Sequence, residues 1–420
     1  MRKVKIHLSE NVKYFGALGI SWLLAWFLGY IYHPMMLRML SLSDFSALQT
    51  LVSMFNILSV FTAWIALYIT QIVAEDNHHV ARSKRIFRWY TKDMILLGVC
   101  LFLIFLVCVP VLRSLFDIHN IPALLLTWSI LIIWFAVVVA NGVLQWLKKF
   151  IIIAKINSYS AVAKFVIGGL WVFVGGGIIG AIGWYVWLMV VYLLLYFFYT
   201  YKFLDARYDE HLVDSHLLRS KNIVSMTHYS VLCILLTTLA NVDILVARLL
   251  FPTDISWAYA AISTLSKWMI FVSGLLESVY FPQLVRIGKH SAKLLMQALA
   301  MYAGIFALAM LFIWSIGWPI LAIIKEGLDI YVQEFAWLTV WSLLISLVTF
   351  GSKILLWRRS YRTNIFLFMF LVAILLVTQY VHFNTLQNYI YSLCIVSAVW
   401  VAIVSWYVWY KLDRTTKQIL

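Results

Sequence analysis

The sequence predicts an all-α integral membrane protein of twelve transmembrane helices, set as two parallel-repeat six-helix lobes around a central cavity. Three observations predict it. Hydrophobic residues make up 64% of the 420-residue chain and charged ones only 12%, too little polar surface for a soluble domain of this length. Lys and Arg fall almost entirely into every second gap between apolar segments, and the chain matches itself at an offset of 210 residues.

The apolar segments run over 12–32, 46–73, 93–112, 122–145, 157–176, 179–200, 223–250, 257–283, 294–317, 332–356, 363–381 and 388–410. Each is long enough for a hydrocarbon core that needs about 20 helical residues. The first has no small-residue cleavage site after it and is read as an uncleaved helix. Alternate gaps hold basic groups such as Arg82, Lys84, Arg85 and Arg88, then Lys148 and Lys149, then Arg286 and Lys289, then Arg358, Arg359 and Arg362. The opposite gaps hold only Arg38, Arg113, Arg248 and Lys325. Retention of positive charge on the cytoplasmic side places both termini there. The net charge of +15 is then a consequence of topology and of attraction to anionic lipid, with no nucleic-acid partner implied.

At the 210-residue offset Arg38 falls on Arg248, Asp44 on Asp254, Ser46 on Ser256, Ser53 on Ser263 and Phe61 on Phe271. Six spans separate equivalent positions, so the halves share one orientation, related by an axis along the membrane normal. The lobes are residues 1–200 and 223–420, with 201–222 a cytoplasmic linker.

Charges deep in the spans are Lys164, Asp243, Lys267 and Glu277. A charge at mid-bilayer costs a few kcal/mol, so each requires a partner, a wet cavity or the interface. Ser256, Tyr259, Ser263, Ser266, Lys267, Ser273, Gly274 and Glu277 share one helical face, and Gln49, Ser53 and Asn56 recur on the equivalent face of the second span with Ser46. Two readings fit this stripe: walls of a shared cavity, or hydroxyls bonding across packed helices. Two also fit Lys267, an anion-binding cation or a structural partner of Asp243. Lys164 and Glu277 either snorkel separately to the headgroups or meet as an inner gate. His33, His79, His228 and His290 read as ordinary interfacial histidines. Cys100, Cys108, Cys233 and Cys394 lie inside spans as packing residues, with no disulfide frame and no metal spacing. No phosphate-binding loop, cofactor motif or catalytic constellation emerges, so no enzyme activity is expected.

The stretch Leu37-Arg38-Met39-Leu40-Ser41-Leu42-Ser43-Asp44-Phe45, opening a long helix that closes on Ile72-Val73-Ala74-Glu75, resembles the start of bacterial polysaccharide flippases. Asn241-Val242-Asp243 and Phe281-Pro282 in the second half are similar too, as is the glycine cluster from Gly168 to Gly183. Those proteins, O-antigen-type flippases for lipid-linked oligosaccharides, belong to the multidrug, oligosaccharidyl-lipid and polysaccharide exporter (MOP) superfamily. Ser41 and Ser46 depart from their pattern, which usually has glycine at both places.

The resemblance implies a flippase that moves a polyprenyl-diphosphate-linked oligosaccharide from the cytoplasmic to the outer face of the inner membrane by alternating access, for surface polysaccharide biosynthesis. Lys267, Lys164, Ser263, Ser266, Tyr259, Gln49, Ser53 and Asn56 would bind substrate, and Asp243 and Glu277 would serve ion coupling or gating. Membrane lipids and other polysaccharide-assembly proteins are the further partners expected, and the chain is expected to be a monomer. The alternatives are a drug or cation antiporter of the same superfamily, or a glycosyltransferase, polymerase or ligase acting on lipid-linked sugars. The first should present carboxylates to its substrate, and the second needs a larger outward loop than the one near Lys325, Glu326 and Asp329.

Overall fold

Continuous apolar sequence punctuated by Gly, Pro and Asn becomes a series of long helices. The computed structural model describes residues 2–75, 80–147, 149–203, 223–270, 291–357, 362–380 and 385–417. It divides into two compact units, Met1–Met226 and Thr227–Leu420. Much of the 201–222 linker, from residue 204, lies outside the described residues.

The first unit holds α1 (Arg2–Met39), α2 (Leu42–Glu75), α3 (Val80–Phe116), α4 (Ile121–Trp146), α5 (Phe150–Trp171) and α6 (Gly177–Phe203). Ser41 opens α2, its hydroxyl accepting the Asp44 N–H at 3.1 Å, so the serine that departs from the resembled pattern satisfies a helix N-terminus. Asn120 does the same for α4 through Ala123 N–H at 3.0 Å, with Pro122 in the first turn. Helix α4 is the centre of the unit, packed against α2, α3 and α6, while α1 packs on α5. Its buried stretch Val137, Val138, Val139 and Ala140 joins Phe87, Leu131, Phe135, Ile153, Ile156 and Tyr196 in one apolar cluster. A Cβ on Gly98 of α3 would stand 2.9 Å from Ile132 Cα of α4, so only glycine permits this approach. The α5–α6 hairpin turns through a π-helical segment, Val172–Gly176, with Gly175 at φ +97° and Gly177 at φ +51°.

The second unit holds α7 (Ile223–Leu239), α8 (Val242–Leu250), α9 (Thr253–Ser266), α10 (Ser291–Ile324), α11 (Val332–Trp357), α12 (Arg362–Tyr380) and α13 (Leu386–Lys417). Helix α11 takes the central place of α4: it packs on α9, α10 and α13 as α4 packs on α2, α3 and α6. The duplication read from the sequence is thus also a duplication of packing within each unit.

Two predicted spans differ in form. The single helix expected over 223–250 is α7 and α8, bent by 41° at Ala240–Asn241. The helix expected over 257–283 begins earlier, at Thr253, and α9 ends at Ser266 with Lys267 as its C-cap; residues 271–290, including Glu277, lie outside the described residues. Hydropathy is blind to both breaks, because apolar side chains continue across them. Among the described residues nine helices are long and apolar enough to cross a membrane, ten if the bent pair counts as one span. Helices also outrun their predicted ends. Helix α3 starts at Val80 rather than near 93, since its first turns carry Arg82, Lys84, Arg85 and Arg88, which stay helical beyond the hydrocarbon.

Candidate functional site

The bend between α7 and α8 and the end of α9 bring the two deep charges of the second unit together. Lys267 Nζ donates to Asp243 Oδ1 at 2.9 Å. Asp243 is fully buried and the Lys267 side chain only 12% exposed, so each charge depends on the other for compensation. The other carboxylate oxygen accepts from the Tyr259 hydroxyl at 3.1 Å and the Ser263 hydroxyl at 2.5 Å. Tyr389 of α13 donates to the Asp243 main-chain carbonyl at 3.0 Å, in the first turn after the break. Ser266 donates to Ser263 O at 2.8 Å and lies 3.3 Å from the Ser342 hydroxyl of α11. Of the residues predicted from the sequence, Tyr259, Ser263, Ser266, Lys267 and Asp243 therefore form one buried cluster. Tyr389 and Ser342 were not predicted. Ser342 lies on a stripe with Thr339, Ser346 and Thr349 along α11 that could have marked it, and Tyr389 is followed one turn on by Ser392.

In the first unit, Gln49 and Ser53 are buried and Asn56 is half-buried on α2. Gln49 Nε2 lies 2.9 Å from His33 Nδ1, so His33 is more than an interfacial histidine. The 210-residue offset carries His33 onto Asp243 and Gln49 onto Tyr259. Each unit thus makes the same polar contact, α1 to α2 and α8 to α9, with different chemistry.

Lys164 stands apart from both clusters. Its ammonium lies 4.4 Å from the centre of the Tyr185 ring and 5.0 Å from that of Tyr32, a cation between two π faces. Among the described residues no carboxylate reaches it. Because α5 starts at Phe150 rather than at 157, Lys164 lies about 20 Å along the helix at 1.5 Å per residue. That places it near the middle of the segment from Phe150 to Gly176. Among the described residues no group of three or more His, Cys, Asp or Glu could hold a metal ion.

No protein-family model matches the chain, and no curated protein sequence matches it. Solved structures do. An inward-facing multidrug resistance MATE family transporter of the MOP superfamily is 13% identical, over 92% of this chain and 95% of its own, with a TM-score of 0.69. The lipid II flippase MurJ, in an inward closed conformation, is 13% identical over 94% of this chain and 87% of its own, with a TM-score of 0.67. A MOP superfamily transporter from Pyrococcus furiosus, whose binding pocket of reverse polarity suggests a different function, is 15% identical over 96% of both chains, with a TM-score of 0.56. At these identities the likeness is one of fold. This chain is a multi-pass integral membrane protein with the fold of MOP superfamily transporters. The proteins sharing that fold are drug transporters and a flippase rather than enzymes.

Proposed function

We propose that this protein is a flippase for a polyprenyl-diphosphate-linked oligosaccharide, carrying the sugar head from the cytoplasmic to the outer face of the inner membrane. The observation that carries the reading is Lys164, a mid-helix cation met by tyrosine rings and, among the described residues, by no carboxylate. A partly buried ammonium in an apolar helix, with no counter-ion among the described residues, favours an anionic ligand, and a diphosphate supplies one. Lys267 is held by its bond to Asp243 and so does not carry the reading. Alternating access fits a fold known in inward-facing and outward-facing conformations.

Drug or cation antiport is the rival, since MATE transporters share the fold. It asks for a carboxylate free to meet a cation, whereas Lys267, Tyr259 and Ser263 occupy both oxygens of Asp243. The test is reconstitution. Proteoliposomes carrying the chain and a fluorescent prenyl-diphosphate disaccharide should show protein-dependent loss of inner-leaflet label, abolished by Lys164→Gln. Saturable efflux of ethidium with no movement of the glycolipid would establish the rival reading instead.

A further inference from the structure

Around Lys164 the first unit has a second set of groups that the charge alone does not explain. Helix α5 exposes Tyr159, Val162, Val166 and Leu170 on one face, and α6 exposes Trp187, Val191, Leu194 and Phe198. At about 100° per residue, Asn157 and Lys164 on α5 and Tyr185 and Tyr192 on α6 lie roughly 130° to 175° from those faces. They point into the unit, yet all four are only partly buried. Partial exposure on an inward face marks a hollow at the edge of the packed core, on which Tyr192 and Trp134 rest.

The walls of this hollow differ in chemistry along its length. At one level stands Lys164 between Tyr32 and Tyr185. Two turns away, about 10 Å by helix rise, Tyr192 lies nearly parallel to Trp134 of α4, with ring centres 6.2 Å apart and planes inclined by 13°. Phe55 of α2 meets Tyr185 and Trp134 edge-on and joins the two levels. Tyr192 and Tyr196 both donate to Asn157 Oδ1. That fixes the amide and leaves its NH2 group, two donors, without a protein partner among the described residues. A sugar ring presents an apolar C–H face beside hydroxyl acceptors, and aromatic walls with a few oriented polar groups suit such a ligand.

We propose that this hollow is a divided site, in which Lys164 takes the phosphate bonded to the first sugar, and Trp134, Tyr192 and Asn157 take that sugar ring. The proposal rests on the lipid-linked-sugar reading above. It adds that the sugar nearest the carrier is recognised within the first unit, so specificity resides at the reducing end of the glycan. The two levels are separated by a length that a phosphoryl group and one pyranose span end to end.

Two probes divide the claims: farnesyl diphosphate, and the same lipid bearing one N-acetylglucosamine, each titrated onto the full chain in nanodiscs. The glycosylated probe should bind more tightly. Lys164→Gln should weaken both by about tenfold or more. Trp134→Leu and Asn157→Leu should weaken only the glycosylated probe and remove its advantage; Trp134→Phe, which keeps an apolar ring in place, serves if the leucine variant fails to fold. If Lys164→Gln weakens both probes but the Trp134 and Asn157 variants treat them alike, the sugar subsite is wrong and the flippase reading stands. If neither probe binds the wild type, or Lys164→Gln changes nothing, the subsite and the reading fail together.

Discussion

Asp243 and Lys267 illustrate what a single residue can mean in an apolar interior. Removing Lys267 leaves a fully buried carboxylate whose strongest partner is gone, a loss of about 3–5 kcal/mol for such pairs. Lys267→Ala should therefore lower the thermal midpoint of the purified protein markedly, and Lys267→Met with Asp243→Asn should recover most of it. If the double variant melts as early as the single one, the ion pair is not what holds this cluster. The sequence marked both charges and the Tyr259 and Ser263 hydroxyls by their spacing along two neighbouring spans. It could not mark Tyr389, because 146 residues separate it from Asp243 and tyrosines are common throughout the chain. Nor could it show that Lys164 is met by tyrosines, since aromatic residues are abundant everywhere in the chain.

Helices, and the small residues that bound them, behave differently from charges. At Gly98 the neighbouring atom is the Ile132 backbone, which cannot rotate aside, so Gly98→Ala should separate α3 from α4 and cost on the order of 1–3 kcal/mol, read as a lower thermal midpoint. At Gly175 there is open space but a left-handed backbone, and Gly175→Ala should cost only about 1–2 kcal/mol. The reverse order of these two midpoints would mean that the hairpin turn, not the α3–α4 contact, limits the unit. The existence of nearly every helix was legible from hydropathy alone. The breaks at Ala240–Asn241 and at Lys267 were not, because a bend is set by which carbonyls find partners, and those partners come from other helices.

For the whole molecule the basic gaps make a direct prediction. In a background lacking Cys100, Cys108, Cys233 and Cys394, single cysteines near Asp44, Asp254 and Asp329 should react with an impermeant maleimide on intact cells. Cysteines near Lys84, Asp209 and Arg359 should react only after lysis. Labelling at Asp209 from outside would overturn the parallel arrangement of the halves, because it lies in the gap that separates them in sequence. The repeated packing of α4 and α11, each against three equivalent helices, was foreshadowed by the 210-residue offset. The match of His33 with Asp243 was not, since the side chains differ and only the shared contact reveals it.

The Asp243 to Lys267 bond also bears on how the chain is made. Each charge entering a bilayer alone is opposed by about 2.5–3.5 kcal/mol on translocon scales. Paired across 24 residues of sequence, they enter as a neutral hairpin. The segment from Ile223 to Leu250 would then wait at the insertion machinery until Lys267 has been synthesised, and ribosome-stalled chains ending before Lys267 should remain extractable by alkali while longer ones resist it.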